Sequence, residues 1–159
     1  MILVTPMMFS WWVFAIAVWV VTGVLVQGER VRSLFNIGLV GGFLLSLVIN
    51  LLGVPVFHFW RFGPDILPFM GIPLALPIAW TAEVILYINY LPEHKLSIAL
   101  YTAAFVAVST IIDYFFVQFG MRAFINWNLL ATFILGLISH GLILGYYYIT
   151  YPEARKLAK

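Results

Sequence analysis

Five long apolar stretches separated by short polar interruptions organise the chain. About 20 mostly apolar residues are enough to cross the hydrocarbon core of a bilayer as a helix. On that basis the pattern predicts spans over 7–27, 36–53, 66–90, 97–119 and 126–149. Gly28-Glu29-Arg30-Val31-Arg32-Ser33, Pro92-Glu93-His94-Lys95 and Gly120-Met121-Arg122 read as connections, and connections this short set neighbouring helices antiparallel and in contact. The expected fold is an all-α, polytopic transmembrane bundle, one domain over residues 1–159. Between spans two and three, Pro55 to Asp65 is aromatic, weakly basic and too short to cross. It is expected to lie in the membrane interface.

Span three breaks the pattern, because Pro64, Pro68, Pro73 and Pro77 crowd its first half. Each proline removes a helical donor and frees a carbonyl. Irregular backbone at membrane depth survives only when buried in protein or facing water. That half is therefore expected to be kinked and internal, either sealed by neighbouring helices or forming a cavity wall.

Composition sharpens this picture. A chain that is 64% hydrophobic and 9% charged, with mean hydropathy +1.07, is not a soluble domain. The net charge of +2 sits almost entirely between the apolar stretches, so it reports topology and gives no sign of a nucleic-acid partner. With the N-terminus outside, the inner side receives Arg30, Arg32, Lys95, Arg155, Lys156 and Lys159, and the outer side Arg61 and Arg122. That imbalance predicts an N-out, C-in arrangement. Trp11, Trp12, Trp60 and Trp127 then fall near the outer interface, and Tyr90, Tyr101, Tyr146, Tyr147, Tyr148 and Tyr151 near the inner one. The opening Met1 to Pro6 carries no basic residue, so the first stretch reads as a retained span rather than a cleaved signal.

Several kinds of chemistry are missing. There is no cysteine, hence no disulfide, thiol nucleophile or thiolate metal site. His58, His94 and His140 are scattered and make no histidine-box site. No H-E-x-x-H, G-x-S-x-G, phosphate loop or aspartate-rich magnesium cluster occurs. No cofactor or metal is expected.

Polar groups stranded within the spans are the candidate sites, because ionisable groups in a bilayer are expensive and mark function by default. They fall into two layers. Nearer the outer side are Asn50, Asp113 and Asn128, with Arg61 and Arg122 in the flanking segments. Pairing Asp113 with Arg61 or Arg122 would neutralise a buried charge. The sharper alternative is an outward-opening ligand pocket made by Asp113, Asn50, Arg61 and Asn128. Nearer the inner side, Glu83 and His140 form either a pair able to hold and pass a proton or an inert hydrogen bond between spans three and five. With straight helices a Glu83–Asp113 pair would have to bridge roughly 15 Å, which argues against a carboxylate dyad. Thr102, Ser109, Thr110 and Asp113 form a polar stripe on span four.

Packing has its own signature. Gly38, Gly42, Ser46 and Asn50 repeat at i,i+4 on span two, and Gly141 and Gly145 repeat on span five. Such faces let a second helix backbone approach closely.

Five spans, Pro92-Glu93 opening the fourth, Asp113 within it, and Asn126-Trp127-Asn128 leading into the fifth resemble a family of small uncharacterised membrane proteins found mainly in spore-forming Firmicutes. The resemblance covers most of the chain and implies a bacterial plasma membrane. It implies no activity, substrate or catalytic residue. The proline density of span three departs from it.

These features give three functional expectations. The leading one is a small membrane protein that acts by helix–helix association through the Gly38-Gly42-Ser46 face, as a subunit of a membrane assembly or as a homo-oligomer. The second is a small transporter or ligand-binding protein using the Asp113 pocket and the Glu83/His140 pair. The third is an intramembrane enzyme acting on a lipid.

Overall fold

The computed structural model describes residues 6–157 and is mostly helical. A 3-10 turn, Pro6–Phe9, leads into α1, Ser10–Leu25. A continuous helical segment follows, α2, Gly28–Val56, widening to π-type turns at Gly38–Leu44 and Leu52–Val56. Three short strands come next: β1, Trp60–Phe62; β2, Pro68–Phe69; and β3, Ile72–Pro73. The chain continues through α3, Ala75–Asn89; α4, Lys95–Gln118; β4, Arg122–Phe124; α5, Leu129–Thr150; and α6, Pro152–Leu157. Met1–Thr5, read as the lead into the first span, and Lys159, counted among the basic residues, lie outside the described residues.

Four helical stretches, Met7–Leu25, Gly28–Val56, Lys95–Gln118 and Leu129–Thr150, are long and apolar enough to cross a membrane, which marks the chain as an integral membrane protein. The expected connection Gly28 to Ser33 is instead the first turns of α2. Leu34 and Ile37 are buried there while Glu29 and Arg30 are exposed. At 1.5 Å per residue, the 29 residues of this stretch reach about 43 Å. That equals the thickness of a bilayer including its headgroups, long enough for polar end turns to extend beyond the hydrocarbon.

Span three differs most from expectation. Only Ala75–Asn89 is helical, about 22 Å. The proline-rich stretch before it is not a kinked helix but a hairpin, with β2 and β3 paired through Phe69 and Ile72. Its two turn residues, Met70 and Gly71, both have positive φ (51° and 79°), as a two-residue turn of the right twist requires. With Pro68 and Pro73 forming the outer pair, the missing N–H groups fall where a two-residue ladder has no further strand to serve.

Short as it is, α3 is the centre of the molecule. Ten of its residues, among them Ala79, Ala82, Ile85 and Tyr87, are buried, and both α1 and α2 pack against it. The α2 contact uses the glycine face. A Cβ on Gly42 would lie 2.6 Å from Thr81 Cα and Trp80 O, and one on Gly38 would lie 2.9 Å from Thr81 O. Ser46 is fully buried. The small-residue face therefore serves a close backbone approach within the chain and is not a free surface for a partner. Gly141 and Gly145 are exposed on α5 and would meet nothing within 4 Å. The close approach on α5 is made instead by Gly136, against Val106 of α4.

At one end of the bundle β1 and β4 pair antiparallel, Trp60 opposite Phe124 and Phe62 opposite Arg122. The opposite end carries the tyrosines, where the Tyr87 and Tyr101 rings stack at 5.4 Å.

Candidate functional site

Helix α4 packs closely on α5 and β4 and meets α3 and α1 through side chains, Thr102 and Ser109 on the one and Phe116 on the other. The space left between them is a cavity of about 360 Å³. Its floor, middle and roof are built by different pairs of elements.

The roof is set by how α4 stops. Gly120, at φ +71°, ends the helix, with Met121 N donating to Phe116 O and Gly120 N donating to Val117 O, a Schellman stop. The chain reverses into β4, and Arg122 returns over Asp113, its Nη1 donating to Asp113 Oδ1 at 2.5 Å. Residues alternate sides along a strand. In β1, Trp60 and Phe62 therefore turn inward and Arg61 is exposed. The Arg122 guanidinium lies 4.3 Å from the Trp60 ring centroid and 5.7 Å from that of Phe62. Burial pushes the Arg122 pKa down from its usual value, and Asp113 opposes that shift; an arginine remains charged under both influences. Trp60 Nε1 donates to Asn50 Oδ1 at 3.2 Å, and Asn50 Nδ2 donates to Ser46 O at 2.8 Å.

In the middle, Ser109 Oγ donates to Glu83 Oε1 at 2.6 Å. Ser109 and Asp113 are one turn apart on α4, about 6 Å along its axis. The two carboxylates are thus much closer in depth than straight spans imply. The cause is the register of α3: without residues 66–74 in the helix, Glu83 sits at its middle. No hydrogen bond joins Glu83 to Asp113 among those formed by the described residues, and Ser109 is the partner that Glu83 has.

The floor is aromatic. Tyr87 exchanges a 2.7 Å hydrogen bond with Thr102 and meets the His140 ring edge-on at 4.7 Å. His140 Nδ1 lies 2.9 Å from Gly136 O. His140 and Glu83 line the same cavity but are not bonded to each other.

The expected pocket residues therefore separate. Asp113 and Asn50 reach the cavity, as do Glu83 and His140. Arg61 does not, because strand alternation turns it outward. Asn128 does not either: it caps α5, its Oδ1 accepting from Ala131 N at 2.9 Å, a role asparagine fills well at a helix start. The stripe on α4 is real, and its members have divided tasks. Thr102 serves Tyr87, Ser109 serves Glu83, Asp113 serves Arg122, and Thr110 bonds back to Val106 O. Sequence reading missed the Ser109–Glu83 link and the aromatic lining, which includes Trp11, Trp80, Phe105 and Phe116. The shared i,i+4 spacing of Ser109 and Asp113 was the available signal.

Among the described residues, four polar atoms on the cavity's lining residues are buried without a hydrogen-bond partner in the protein: Trp11 Nε1, Asp113 Oδ2, Arg122 Nε and His140 Nε2. Buried polar groups are nearly always satisfied, so their concentration around one space is informative. The side of the cavity is lined by Ala17 and Val21 of α1 and Val108 and Ile112 of α4, all of which also face outward. The opening is lateral, between two helices of membrane-crossing length. Among the described residues no group of three or more His, Asp or Glu side chains is placed to hold a metal ion.

Compared with family models, curated proteins and solved structures, the chain matches none.

Proposed function

We propose that this is a ligand-binding membrane protein whose cavity receives a small, largely apolar molecule sideways from the bilayer. The carrying observation is the convergence of four unpartnered buried polar atoms on one aromatic cavity with a lateral opening. Apolar walls with a few convergent polar groups, in a space of this size, characterise small-molecule sites. The association reading loses its main support, because α3 occupies the Gly38-Gly42-Ser46 face.

A photoreactive aryl diazirine dissolved in the bilayer tests the proposal. Labelling of Trp80 and Ser109 should saturate with probe, while labelling of outward-facing Val24 and Leu142 should rise in proportion. Ala17→Phe, which narrows the opening, should remove the saturable component. Proportional labelling everywhere would sink the reading.

The proposed topology is five crossings, N-terminus outside, with α3 completing its crossing through the β2–β3 hairpin. It rests on the distribution of Lys and Arg about the span ends. The cysteine-free chain allows a direct check with an impermeant maleimide on single-cysteine variants. Gln27→Cys and Glu93→Cys should react only after the membrane is opened, and Asn126→Cys in intact cells. If positions 27 and 93 reacted from opposite sides, α3 would not cross.

A further inference from the structure

The charges around the cavity do not balance. Two carboxylates, Glu83 and Asp113, and one guanidinium, Arg122, line it. Arg122 is committed to Asp113. Glu83 has a neutral partner, Ser109, so with both carboxylates ionised and the His140 imidazole, which lines the same cavity, uncharged, the cavity carries a charge of −1. A carboxylate in apolar surroundings without a counter-charge is costly, and a ligand that brings the counter-charge recovers that cost. Around Glu83 the lining is aromatic, with Trp80 on its own helix and Phe105 a turn away from Ser109 on α4. Further out, Trp11, Phe14 and Phe116 close the same space. Faces of such rings attract cations, more strongly when water is excluded.

We infer that the ligand is a hydrophobic monocation, an amine or quaternary ammonium with an apolar body, held by the Glu83 carboxylate among the cavity's aromatic rings. The inference rests on the proposed cavity reading and adds the sign of the ligand's charge. Asp113 does not compete for the cation, because Arg122 already neutralises it. The lateral opening suits a molecule that partitions into the bilayer with its charge near the headgroups.

Two isosteres isolate the charge: benzyltrimethylammonium and neopentylbenzene, which differ by nitrogen for carbon. Each is used to protect Trp80 and Ser109 from saturable diazirine labelling, in vesicles of zwitterionic lipid, with concentrations counted in the membrane phase. The cation should protect at a concentration at least about tenfold lower, the size expected of one close contact between opposite charges away from water. Glu83→Gln, which keeps the shape and the acceptor for Ser109, should reduce that preference to the small part the aromatic rings supply, at least about tenfold below the unaltered protein, while leaving the saturable labelling in place. Equal protection by both molecules, or a cation preference undiminished by Glu83→Gln, overturns the inference and leaves the cavity reading standing. Absence of saturable labelling in the unaltered protein overturns both.

Discussion

Gly42→Leu is expected to cost the bundle much of its stability. A Cβ at this position alone would lie 2.6 Å from Thr81 Cα and Trp80 O, and both are backbone atoms that cannot swing aside. Ordinary overpacking of a core costs about 1–3 kcal/mol because side chains can shift. Here α2 and α3 would have to separate, so the loss should exceed about 3 kcal/mol. A membrane protein of ordinary stability, about 5–15 kcal/mol, loses much of its margin. Gly141→Leu should be close to neutral, since nothing lies within 4 Å of a Cβ there. Denaturant titration of purified protein, followed by tryptophan fluorescence, distinguishes the two. If Gly42→Leu yielded a folded monomer of unchanged midpoint, the packing of α2 on α3 would be wrong.

Asp113→Asn should be the second large loss. The pair is nearly buried, its side chains 12% and 11% exposed, and the substitution leaves the guanidinium under Trp60 without its counter-charge. Removing one partner of a buried pair costs about 3–5 kcal/mol, whereas replacing both by apolar groups of similar size is often neutral. Asp113→Leu combined with Arg122→Met should therefore recover most of the stability lost in Asp113→Asn. Arg122→Lys should not rescue, because an ammonium lacks the flat guanidinium face that lies over the Trp60 ring. A cost below about 1 kcal/mol for Asp113→Asn would place the pair with solvated surface pairs and remove the roof from the site.

How much of this could be read from sequence depended on the scale of the feature. Helices α1, α4 and α5 lie where the apolar runs put them, because crossing a bilayer demands some twenty apolar residues whatever the partner. The start of α2 was hidden, since Glu29, Arg30 and Arg32 break hydropathy without breaking a helix. The prolines before α3 announced irregular backbone correctly. They could not show whether the chain kinks or folds back, because that depends on whether Met70 and Gly71 adopt the left-handed turn. The i,i+4 glycines of α2 and α5 look alike in sequence, yet only the former meet a helix. Spacing gives a face and is silent about what covers it.

The site divides in the same way. That a buried Asp113 needs an arginine was legible from charge alone. Which arginine was not, until the β1–β4 pairing turned Arg61 outward and Arg122 inward. Asn128, read as a span residue, is spent on a helix cap. The depth of Glu83 was misjudged because it was measured from a span nine residues too long at its start. Once α3 begins at Ala75, Glu83 and Asp113 belong to one cavity, and the two polar layers merge.

Native mass spectrometry of the protein, taken from its own membrane in a mild detergent, tests the central claim most directly. The account predicts one defined small-molecule adduct per chain, absent from Ala17→Phe. A protein assembly or bare chain whose mass leaves no room for such an adduct would contradict it.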